Sequence, residues 1–144
     1  MGGTTNPSRR STLPETFEAV VIPRGMESFY EEQHFAPAVR AGGLLFISGQ
    51  VGAEDDGSMP LDFGTQAENA MRRLESVLTA AGLTTSDLVS ITSYHVGPVF
   101  PAVHDFVAAK DRYVSAPYPS WTVLGISELA VPDALLEVSA VAAY

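Results

Sequence analysis

Apolar positions recur at two spacings along this chain, and the switches between them mark its elements. The clearest run is Ala67, Ala70, Met71, Leu74, Val77, Leu78 and Ala81, spaced by three and four, which predicts one amphipathic helix. Thr65 and Glu68 stand at capping-box spacing before it, and Gly82 follows as a stop. Val103, Phe106, Val107, Lys110 and Val114 form a looser stripe after Pro101 and predict a second helix. Strands are predicted where apolar residues alternate or run together between turn signals: Phe17–Ile22, Ala38–Arg40, Leu44–Ser48, Asp87–Val96, Ser120–Ile126 and Ala134–Ala142. Glu27–His34 has no clean period and reads as loop or a single helical turn, and "GAEDDGSMP" is turn chemistry throughout.

This order predicts an α+β fold, a single mixed β-sheet with two helices packed on one face. Both faces of "LLFISG" and "LLEVSAVAAY" are too apolar for open water, so the face away from the helices is expected to be covered by another subunit. The chain has 144 residues, enough for one domain with a real core. A polar tail is expected over residues 1–16 and the domain over 17–144. Arg9-Arg10 is not followed by an apolar stretch, and Asn6 stands where acylation at Gly2 wants Ser or Thr. A soluble, cytoplasmic protein is expected.

Composition removes several classes of chemistry. With no cysteine there are no disulfides, thiolate nucleophiles or thiolate-bound metals. The three histidines, His34, His95 and His104, lack paired ligand spacing, so no metal site is expected. Eight Lys and Arg against seventeen Asp and Glu give a net charge of −9, which is repelled by phosphate backbones and anionic membranes. The glycines of "GGLLFISGQVG" do not open a helix as a phosphate loop would, and Ser48 lacks a nucleophile elbow.

Three side chains stand out. Trp121, the single tryptophan, follows "PYPS" at a strand entrance, where an indole either fills a core or walls a pocket. His104 flanks the second helix and reads most simply as a half-exposed helix residue. Glu137 lies between Leu136 and Val138, and an acid in an apolar strand needs a partner or a wet cavity.

At "RAGGLLFISGQVG", the Thr65–Gly82 helix, "DLVSITSYHV", "YPSWTV" and "LLEVSAVA", the chain resembles the RidA/YjgF family of imine and enamine deaminases, over about residues 19–142. The resemblance implies a chorismate-mutase-like fold, a homotrimer around a central barrel, small pockets between subunits, and no cofactor. In the family's deaminases an arginine grips the substrate's α-carboxylate while water attacks the imine carbon, helped by a last-strand acid. Here Trp121 stands in the arginine's place, after Tyr118 in "YPS". Phe35 falls on the family's tyrosine, His104 on an asparagine, Val123 on a cysteine, and Ser139 on the last-strand acid, with Glu137 two residues earlier. Ser48 and Gly49 are retained.

A buried Arg–carboxylate contact contributes on the order of 2–5 kcal/mol, and an indole offers one neutral N–H. The expectation is therefore an enzyme acting on a small imine, enamine or related metabolite without an α-carboxylate. His104 or Glu137 would activate water, and Trp121, Phe35, Ser48, Gly49, Tyr118, Val123 and Ser139 would line the pocket. The alternative is a non-catalytic small-molecule-binding or accessory protein of the same fold, or a structural trimer whose pocket Trp121 has closed.

Overall fold

The computed structural model describes residues 19–144. The proposed tail, and the start of the predicted strand at 17–22, lie outside the described residues. Six strands form one sheet: β1 (Val20–Val21), β2 (Ala38–Ala41), β3 (Leu44–Val51), β4 (Leu88–Val96), β5 (Ser120–Ile126) and β6 (Leu136–Ala143). Their order is β1-β2-β3-β6-β4-β5, antiparallel throughout except for the parallel pair β4–β5. The helices are α1 (Glu27–Glu31), α2 (Phe63–Ala80) and α3 (Val103–Asp111). The aperiodic stretch after Pro23 thus forms a short third helix. α3 is the crossover that a parallel pair requires.

The long helix starts earlier than its predicted box. Asp62 is the cap, its carboxylate accepting from the Thr65 N–H at 2.8 Å and the Thr65 hydroxyl at 2.7 Å. Those donors hold the Asp62 carboxyl below its ordinary pKa. Glu68 is thereby free of capping and instead accepts from Arg112 and, at 2.8 Å, from the Tyr113 hydroxyl, tying α2 to the end of α3. The helix ends before Gly82, as predicted, and Arg40 of β2 donates to the helix-end carbonyl of Ala81 at 2.6 Å.

The apolar face of α2 buries Ala67, Ala70, Met71, Leu74, Val77 and Leu78. Against them lie Leu45, Ile47, Ile91, Leu136, Val138, Ala140 and Ala142 from alternate strand positions, with Phe106 and Ala109 from α3. The period of two therefore gives β6 one buried row and one half-buried row along its whole length. The second row, on the face away from the helices, includes Val39, Phe46, Val141, Thr92, Tyr94, Glu137 and Ser139, by their pairing across β2, β3, β6 and β4. Phe46 there is 48% exposed and Leu124 of β5 is 42% exposed. The strand patterning predicted that this face would be apolar, and the single chain leaves it uncovered.

Candidate functional site

One bulge shapes the open face. Between β3 and β6 the register runs Ile47↔Ala140 and then Gln50↔Val138, so β3 carries one extra residue at Ser48-Gly49. The bulge brings the Gly49 backbone against the Glu137 side chain so closely that any Cβ at position 49 would collide with the carboxyl group. A side chain there would force the Glu137 carboxyl to move away. Ser48 donates its hydroxyl to the carbonyl of Ala36 at 2.6 Å, anchoring the loop that precedes β2.

Glu137 is half-buried, and burial raises its pKa above the ordinary glutamate value. It faces the open side of the sheet, paired with Tyr94 across β4, rather than the core as an acid between Leu136 and Val138 first suggests. Ser139 is two residues on and projects from the same face, paired with Thr92. Both therefore belong to one surface. Beside them a hollow of ≈ 340 Å³ is lined by Phe46, Ser48, Ser90, Thr92, Ser139 and Val141, among others.

Trp121 and Val123 lie on the opposite face. They pair with Ile91 and Ser93 of β4, both buried on the helix side. The Trp121 indole N–H donates to the Ser93 hydroxyl at 2.9 Å, and that oxygen lies 3.0 Å from Nε2 of His95. His95 is held between the rings of Phe63 at 5.5 Å and Phe106 at 5.4 Å, and burial pushes its pKa down. Its Nδ1 is buried without a partner among the described residues. The indole also packs on Phe106 at 5.6 Å, so its inner edge belongs to the core. Its outer side meets the ammonium of Lys110, 5.7 Å from the ring centre, which also lies 5.8 Å from the ring of Tyr118.

The remaining candidates stand apart. Phe35 is exposed and stacks on Phe29 at 5.3 Å, and His104 is exposed near the start of α3. The structure thus brings together Ser48, Gly49, Glu137 and Ser139 on one face, and Trp121 with Tyr118 through Lys110 on the other. It does not unite the two sets within one chain, because strand residues of opposite parity cannot share a face. Ser93, His95 and Lys110 are the residues that the sequence reading passed over as site candidates. Their signals were present: Ser93 and His95 share the parity of buried Ile91, and Lys110 interrupts the apolar stripe of α3.

Residues 26–144 match the family described as Endoribonuclease L-PSP. The chain belongs to this family. Among curated relatives, the RutC family protein YjgH of Escherichia coli (strain K12) is 40% identical over 121 residues, covering 83% of this chain and 92% of that one. The 2-iminobutanoate/2-iminopropanoate deaminase of Dermatophagoides farinae is 24% identical over 98 residues, 66% of this chain and 74% of its own. A solved structure of protein YJGH superposes with a TM-score of 0.76 at 36% identity, over 86% of this chain and 94% of that chain. The RidA/YjgF resemblance and its fold are thereby established. No described helix is long and apolar enough to cross a membrane, and no cluster of three metal-binding side chains occurs among the described residues.

Proposed function

We propose that the protein hydrolyses a small imine, enamine or related metabolite at a pocket completed between subunits of a homotrimer. The carrying observation is Glu137: a half-buried carboxyl of raised pKa, seated against the Gly49 bulge on an uncovered sheet face. A half-buried carboxyl whose pKa is raised above the ordinary glutamate value suits general acid–base work on a C=N bond. Glu137 would protonate the imine nitrogen, water would add to the carbon, and collapse would release a carbonyl compound and ammonia. No cofactor is needed for this balance. The name of the mite relative, a 2-iminobutanoate/2-iminopropanoate deaminase, supports the reaction class.

The division of candidates between two faces supports a composite site. β5 is an edge strand, so the wall made by Trp121, Val123 and Tyr118 can meet the open face of a neighbouring copy that carries Ser48, Gly49, Glu137 and Ser139. Phe35 and the exposed His104 would enter such a pocket from their loop and from α3. Of the two candidate bases, Glu137 is the better supported, because it is half-buried against the Gly49 bulge whereas His104 is exposed. The Trp121 N–H is engaged by Ser93, so the β5 strand itself offers no donor to an α-carboxylate. The net charge of −9 weighs against a polynucleotide substrate, whatever the family's description.

A second reading, a non-catalytic binding or accessory protein, draws on the packing of Trp121 against Phe106 in the core. The two part on turnover of freshly generated imines, one with and one without an α-carboxylate. Acceleration of either, reduced about 100-fold or more in Glu137→Gln, supports the enzyme. No acceleration of either leaves the binding reading standing and refutes the hydrolase.

A further inference from the structure

Lys110 is the only lysine of the chain, and its ammonium is set over the ring of the only tryptophan. Its side chain is only 12% exposed. The ammonium lies 5.7 Å from the ring centre of Trp121 and 5.8 Å from that of Tyr118. One ammonium hydrogen is donated to Asp111 at 2.8 Å, and Asp111 is itself 54% exposed. Four arginines of the described chain are engaged elsewhere: Arg40 with a helix-end carbonyl, Arg72 with Asp55, Arg73 with backbone carbonyls and Arg112 with Glu68. Lys110 is the cation that stands at the Trp121 wall.

We propose that Lys110 is an anion anchor, and that the wall formed by Trp121, Tyr118 and Lys110 binds a small monocarboxylate with a flat apolar body. An ammonium has three donors, and the ring faces accept none of them as a true hydrogen bond. A carboxylate arriving over Tyr118, which is 68% exposed, meets a fixed cation whose partner Asp111 can turn to water. The exposed Tyr118 ring offers the apolar body a surface beside the ammonium. With Trp121 in the place of the family's arginine, β5 carries no positive charge. The fold returns a charge to the same wall from the end of α3, eleven residues before Trp121 in sequence. Ser93 has a supporting role here: by fixing the indole edge, it presents the ring face to the ammonium. The inference rests on the reading of this wall as part of a pocket, and its test is separable from that of imine hydrolysis.

The probe is benzoate, with benzyl alcohol as its neutral counterpart, titrated against the intact protein by calorimetry and by the emission of Trp121. Benzoate should bind saturably and benzyl alcohol at least about tenfold more weakly, tenfold corresponding to about 1.4 kcal/mol. Lys110→Met should weaken benzoate about tenfold or more, and Lys110→Arg should retain most of the binding. Should Lys110→Met not fold, acetylation of the folded wild-type protein neutralises the same side chain, because there is no second lysine. Equal binding of both probes, benzoate binding unchanged in Lys110→Met, or no saturable binding would each overturn the anchor. Imine turnover without a benzoate site would sink this inference alone, whereas Lys110-dependent benzoate binding without turnover would sink only the hydrolase.

Discussion

Ser93 offers the sharpest test of how Trp121 is held. Its hydroxyl is the acceptor of the indole N–H and the neighbour of His95 Nε2, and its side chain is fully buried. Ser93→Ala removes one oxygen and leaves two polar groups without a partner. His95 is 1% exposed and already has Nδ1 unpaired, so water cannot replace the lost contact at Nε2. Trp121 is half-buried, and its N–H recovers part of its hydration. An unsatisfied buried group costs about 1–3 kcal/mol, so the full value at His95 and a partial one at Trp121 sum to about 2–4 kcal/mol. For a chain of 144 residues that corresponds to a fall in Tm of roughly 6–16 °C. Urea denaturation followed by the single tryptophan measures it directly, and the same emission should move to the red as the indole loosens. Ser93→Thr, which keeps a hydroxyl, should recover most of the loss. A Ser93→Ala variant within about 0.5 kcal/mol of wild type, with unmoved emission, would refute the hydrogen-bonded chain as the device that sets the indole.

Three further outcomes are expected. His95 is buried and its pKa lies below its ordinary 6.5, so the unfolded chain binds its proton first. Stability should therefore be full above that value and fall as pH drops through it, by up to about 1.4 kcal/mol per pH unit, and His95→Phe should flatten that limb in denaturation curves taken at stepped pH. Gly49→Ala places a methyl group where the Glu137 carboxyl now lies, so the carboxyl must shift and any imine turnover should be suppressed; intact turnover in a folded Gly49→Ala variant would contradict the close approach. Phe46→Asp puts a charge on the open sheet face and should shift the protein to monomer in analytical ultracentrifugation with its helix content unchanged, whereas an unaltered mass would place the subunit contact elsewhere.

The chain by itself determined the elements and the face that must be covered. Periodicity is a local property, so Ala67 through Ala81 specify α2 and the alternation of Leu136–Ala143 specifies a strand with two usable faces, whatever their neighbours. The motifs around Ser48-Gly49 and the Trp121 strand carried the family in the same local way. Its misjudgements were of range. The box at Thr65 and Glu68 was legible but outcompeted by Asp62, a better-placed cap three residues earlier, which left Glu68 for Arg112. Whether Trp121 fills a core or walls a pocket depends on which β4 residues lie beside it, and the parallel register that sets Ser93 and His95 beneath it is fixed by a crossover helix. The meeting of Lys110 with Trp121 likewise depends on how α3 lies across the sheet. Glu137 and Trp121, each conspicuous in the sequence, were separated onto opposite faces by strand parity and sheet order. Those are decided by pairing between distant segments, and only the folded chain makes such pairs.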